Sequence, residues 1–141
     1  MNLIKSLRKV KLNKKGFTLV ELIVVLVILA ILLAILVPSL IGWINRARDR
    51  QVLISARNVY LAGQTVIAEH YGVNNGYPTL SDASFRGNVD TLAKVGVLGS
   101  DYAFDITAID GDGNITAMSY QDLGRGRNVA MTAGVWGEVG P

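Results

Sequence analysis

His70 is the only imidazole in the chain, and there is no cysteine. Thiol catalysis, disulfide frameworks, Cys-ligated zinc and iron–sulfur clusters are therefore excluded. A Ser–His–Asp relay would have to be built on His70, yet no nucleophile motif accompanies it. Asp110, Asp112 and Asn114 have the i, i+2, i+4 oxygen spacing that opens a calcium loop. The sixth position of that loop holds Ile115 where an EF-hand needs Gly, and no Glu stands at the twelfth. These residues read as a hairpin turn, and no metal or cofactor is implied. Gly124-Arg125-Gly126-Arg127 lacks the strand–helix context of a dinucleotide site. No enzyme activity is expected.

Glu21 is the carboxylate in the most demanding surroundings. The 24 residues from Leu22 to Asn45 are uncharged, and Leu22 to Val37 is almost wholly Leu, Ile, Val and Ala. About 20 such residues cross the ~30 Å hydrocarbon layer of a membrane as a helix. A carboxylate there costs roughly 2.5–3.5 kcal/mol at the centre and less near an end. Reaching the headgroups would make Glu21 tolerable but would give it no purpose. No Lys or Arg lies between Lys15 and Arg46, so a positive partner must be a new charge or another subunit. A cut between Gly16 and Phe17 would free such a charge, the α-amine of Phe17. Between staggered neighbours that amine could neutralise the next chain's Glu21, a pairing that sets register more than it adds stability.

Lys14-Lys15-Gly16-Phe17-Thr18-Leu19-Val20-Glu21 and the apolar run behind it resemble the leader junction of type IV prepilins and pseudopilins. The close match covers roughly residues 12–45. The resemblance implies cleavage after Gly16 by a prepilin peptidase, N-methylation of Phe17, and assembly into a helical homo-oligomeric filament in which Glu21 serves packing. It also implies an assembly platform and minor pilins as partners. A structural subunit of a type IV pilus or related filament is the reading the resemblance implies; a pseudopilin of a type II secretion or competence (DNA uptake) machine, which shares the physics, is the first alternative. A bitopic membrane protein with an uncleaved anchor and a small binding head is the alternative from another class. The missing cysteines depart from pilins closed by a C-terminal disulfide and favour a disulfide-free form.

The chain that must position these residues has 141 residues and a net charge of +3. That average conceals a partition. Residues 1–16 hold six basic residues (Lys5, Arg8, Lys9, Lys11, Lys14, Lys15) and no acid, leaving −3 on residues 17–141. From Asn58 onward the balance is −5. The basic excess is therefore a leader, not a nucleic-acid surface, and no direct nucleic-acid binding is expected. Six basic residues before the span, against Arg46, Arg48 and Arg50 after it, predict a single-pass, N-in orientation in the cytoplasmic membrane; the resemblance implies a cell-surface or extracellular filament afterwards. Trp43 suits the interface. An ordinary cleavable secretory signal fits poorly, because the run is too long and lacks a small-x-small site. A core helix fits no better, since so small a domain could not hide the whole span.

The expected organisation is a leader (1–16), a hydrophobic assembly helix (17–44), an amphipathic continuation (45–72) and a loop-rich head (73–141). Pro38 removes the N–H that would bond Ala34, so a bend is expected there; a plain membrane-helix kink accounts for it, and the resemblance implies instead a stretch before Pro38 that can lose helix as subunits pack. Leu53, Ala56, Tyr60, Gly63, Ile67 and Tyr71 recur at three- and four-residue spacing, with Val52, Val59 and Val66 beside them. Arg48, Gln51 and Ser55 are assigned to the opposite face, and Gly72 to the helix end. Phe17 to Tyr71 would give roughly 80 Å of helix, which must protrude from a small head. In the head, a short helix over 89–95 capped by Asn88 and Gly96 is expected, then strands 102–109, 115–120 and 128–136. The fold class is α+β and pilin-like: a long N-terminal helix whose C-terminal half packs on three or four antiparallel strands. Arg46, Arg48 and Arg50 are candidates for contact with the acidic head of a neighbouring subunit.

Overall fold

The computed structural model describes residues 16–141. The leader's six basic residues lie outside the described residues. The chain divides into two compact units, Met1–Gly42 and Trp43–Pro141.

One helix, α1 (Leu19–Asn74), supplies the described helical residues of the first unit and opens the second. In the first unit its large apolar side chains are all exposed, from 47% at Val37 to 74% at Leu19. An 18-residue stretch of α1 reaches a mean hydropathy of 3.4 with nothing buried, so length and composition suit a membrane. Pro38 lies inside α1, with helix assigned on both sides. The expected end at Gly72 is corrected: α1 runs to Asn74, and Asn75 takes the left-handed conformation (φ 53°) while its N–H donates to Tyr71 O at 2.9 Å.

In the second unit, α1 turns Val52, Ala56, Val59, Ala62, Gly63, Val66 and Ile67 into the core. This stripe is rotated from the expected one. Leu53 and Tyr60 are only half-buried, Tyr71 is exposed, and Ser55 turns inward to Tyr120. The second helix also differs from expectation. It is α2 (Ala83–Ala93), begun at Asp82 and ended by left-handed Lys94 (φ 50°), in place of Asn88 and Gly96. Phe85, Val89 and Ala93, four residues apart, bury one face of it.

Four antiparallel strands follow in sheet order β1-β2-β3-β4: β1 (Tyr102–Ile109), β2 (Ile115–Asp122), β3 (Arg127–Thr132) and β4 (Val135–Trp136). The hairpin of β1 and β2 falls where alternation placed it, with a register shift beyond Ile106. The expected single strand over 128–136 is in fact two. Ala133 (φ 52°) and Gly134 (φ 77°) form a two-residue turn that pairs Thr132 with Val135. Val129 and Met131 still alternate into the core, whereas Val135 is exposed. The observed architecture is α+β, a long helix with a small four-stranded sheet, as its sequence pattern implies.

Candidate processing and assembly site

Gly16 is exposed, and a Cβ built on it would meet nothing within 4 Å. Phe17 beside it keeps 73% of its surface. Neither residue of this junction is covered by the described part of the chain. Thr18 then starts the helix. Its carbonyl accepts from Leu22 N–H at 3.2 Å, and its hydroxyl accepts from Glu21 N–H at 3.2 Å. Thr18 is thus the N-cap and Glu21 the third helical residue, in the Thr-x-x-Glu order of a capping box. A carboxylate in the first turn also meets the positive end of the helix dipole. Thr18 was missed as a functional residue from sequence, although Thr-x-x-Glu ahead of an apolar run is the signal that marks it.

After the apolar run, the basic cluster divides. The Arg46 guanidinium lies over the Trp43 ring, 5.0 Å from its centroid. Asp49 pairs with Arg127 of β3 at 3.4 Å. Arg48 and Arg50 are exposed and form no ion pair among the described residues. Arg125 donates to Asp122 at 2.6 Å and to Gln51 at 3.3 Å, so the Gly124–Arg127 turn is tied to α1 by its arginines.

Asp110, Asp112 and Asn114 sit together in the β1–β2 turn, but Asp110 spends its oxygens internally. It accepts from the backbone N–H of Asp112 (3.0 Å) and Asn114 (2.8 Å) and from the Asn114 side chain (3.0 Å). The Asn114 side-chain bond, followed by its backbone bond, holds the Asp110 carboxyl below the usual aspartate range. Among the described residues, no group of three His, Asp or Glu is placed to hold a metal. His70 Nδ1 lies 2.8 Å from Gly76 O, which ties α1 to the loop behind it. The Ser84 hydroxyl donates to Asp82 at 2.7 Å, so these two residues are joined to each other and not to His70.

Residues 11–37 match the family model described as the prokaryotic N-terminal methylation motif. No curated protein and no solved structure matches the chain. The matched stretch contains the Gly16–Phe17 junction, the Thr18 cap, Glu21 and most of the exposed apolar run. The chain therefore carries a prokaryotic N-terminal methylation motif, which supports a class III signal peptide of the type IV prepilin and pseudopilin kind, ahead of an apolar helix suited to membrane anchoring.

Proposed function

We propose that the protein is the structural subunit of a type IV pilus or related filament. It is inserted N-in as a single-pass protein of the cytoplasmic membrane, cut between Gly16 and Phe17 by prepilin peptidase, and methylated on the new Phe17 nitrogen. It is then drawn into a helical homo-oligomer on an assembly platform and carried to the cell surface. The observation that carries this reading is the open Gly16–Phe17 junction immediately before a helix whose apolar side chains have no cover of their own. Such a helix needs lipid before assembly and other copies after it. Removing the leader takes away six positive charges and supplies one amine. That amine is the cation Glu21 lacks within the apolar layer. Pro38 gives the helix a point at which to yield as copies pack, and Arg46, Arg48 and Arg50 face the acidic head of a neighbour.

The test is the mass of the N-terminus in cells that contain the peptidase. A mature chain beginning at N-methylated Phe17 is expected, and an intact Met1 overturns the reading in favour of an uncleaved anchor. Filaments sheared from the cell surface distinguish a pilus subunit from a pseudopilin that stays in a secretion or DNA-uptake machine.

A further inference from the structure

Two features of the Trp43–Pro141 unit are unpartnered within it. The first is a cleft of about 410 Å³ between the end of α1 and the β1–β2 turn, lined by Gln64, Tyr71, Tyr77, Asp112 and Asn114 among others. Tyr71 and Tyr77 stack there, with centroids 5.1 Å apart and planes at 28°. The Tyr77 hydroxyl donates to Gly111 O at 2.9 Å, which fixes that ring, while Tyr71 remains 46% exposed. Unlike Asp110, Asp112 makes no side-chain hydrogen bond or ion pair among the described residues. Aromatic rings beside a free carboxylate suit a flat, weakly hydrated cation, which stacks on one and donates two hydrogen bonds to the other. This chain already places arginine over an aromatic ring twice, Arg46 on Trp43 and Arg86 on Phe104 (4.9 Å).

The second feature is Arg48. It precedes Val52, Val59 and Val66 by 4, 11 and 18 residues, so at 100° per residue it shares their stripe to within about 40°. Those valines are buried against the sheet, yet Arg48 is exposed. The buried stripe begins at Val52, and Arg48 one turn before it is exposed.

We propose that Arg48 of one copy docks in the Tyr71–Tyr77–Asp112 cleft of a second copy. The inference rests on the filament reading and names its contact. Tyr71 lies 23 residues beyond Arg48, which is about 34 Å along the helix and about 140° around it. Complementary patches on different faces give a head-to-tail contact, which propagates as an open filament where its rotation does not close a ring. Arg50 and Arg57 lie within about 60° and 40° of Tyr71 around the helix. With so little rotation between Arg57 and Tyr71, docking of Arg57 in this cleft would set nearly the same helix face of two copies against each other, which favours a closed pair over a propagating contact. Charge agrees with this choice, because everything from Asn58 onward carries −5.

The chain has no cysteine, which makes the test clean. Full-length chains carrying Arg48→Cys with Asp112→Cys are expressed in their host, and the assembled material is treated with a short bismaleimide. A ladder of covalent multimers is expected, with mass spectrometry joining positions 48 and 112 of two copies. The pair Arg57→Cys with Asp112→Cys should give no ladder. Separately, Arg48→Asp should reduce the assembled fraction about tenfold, and Asp112→Arg in the same chain should restore it. Assembly of the parent without a 48–112 link, an equal ladder from the Arg57 pair, or a link from position 112 to another protein overturns this inference and leaves the filament reading intact. A parent that never assembles overturns both.

Discussion

Gly63 faces Ile106 so closely that a β-carbon on it would stand 2.8 Å from the Ile106 Cδ1 and 2.9 Å from the Ile115 Cδ1. Both isoleucines are buried, so neither methyl can swing into solvent. The missing side chain is what lets α1 approach β1 and β2. Gly63→Val should destabilise the detergent-solubilised chain by about 2 kcal/mol through overpacking, measured by urea unfolding with circular dichroism. Gly63→Ala gains about 1 kcal/mol of helix propensity against a smaller clash, and should cost much less. Combining Gly63→Ala with Ile106→Val should recover stability beyond the sum of the single effects. Additive values would mean that the close approach carries no strain.

The same glycine explains why the core stripe was only partly legible. Three- and four-residue spacing marks the correct side of α1, but it admits Leu53, Tyr60 and Tyr71 as readily as Val52, Val59 and Val66. The close approach to Ile106 and Ile115 is at Gly63, and the fully buried positions of the stripe are Val52, Ala56 and Val59, while Leu53 and Tyr60 lie on its flank. The hairpin of β1 and β2 was readable because Phe104 and Ile106 alternate with polar positions and an Asp/Gly-rich turn separates the strands. The break between β3 and β4 was not, because half of its turn is Ala133, a residue that pays for φ of 52° and so gives no turn signal. Asn88 reads from the sequence as an N-cap, with Gly87 just before it. Gly87 has open space around it and costs only propensity, so α2 runs through both. The processing junction was legible nearly in full, since it depends on local residue order and not on tertiary contacts.

Thr18 and Glu21 share one hydrogen bond, and two substitutions separate what each contributes. Thr18→Val removes the cap and should cost about 1 kcal/mol of first-turn stability, read as faster amide exchange at residues 20–22. Filaments should still form, because the charge of Glu21 is intact. Glu21→Gln keeps the side-chain length and the Thr18 cap but removes the charge. It should leave cleavage after Gly16 unchanged while assembly falls sharply. If Glu21→Gln assembles normally, the pairing with a neighbour's Phe17 amine is wrong.

Acid should loosen the β1–β2 turn before the core gives way. Hydrogen bonds from the Asn114 side chain and backbone lower the Asp110 carboxyl below its ordinary range. A lowered carboxylate stabilises the fold at pH values above its unfolded pKa, and that contribution is lost as pH falls through the folded one. The carboxyl resonance of Asp110 should therefore titrate below that of an unstructured aspartate, and protection of the Asn114 amide should disappear with it. Asp110→Asn should abolish the pH dependence at this turn. A normal aspartate titration at Asp110 would contradict the hydrogen-bonded turn.

At the alkaline end the controlling group is Tyr102, which anchors α2 to β1. Its ring is fully buried between Phe104 and Tyr120, and its hydroxyl donates to the Asp90 carboxylate. Burial first, then the bond to Asp90, raises its pKa well above the ordinary tyrosine value. The folded chain therefore keeps a proton that the unfolded chain releases near pH 10. Stability from this group is complete below pH ~10 and falls by about 1.4 kcal/mol for each pH unit above it, until the folded tyrosine itself ionises. Phenolate absorbance should show a component of the titration that appears only with unfolding. Tyr102→Phe should remove that component and flatten the alkaline loss, at a cost near neutrality of about 1–2 kcal/mol for the Asp90 acceptor left without its donor. Tyrosine ionisation that runs to completion while the circular dichroism stays native would show that the Tyr102–Asp90 pair is open to water.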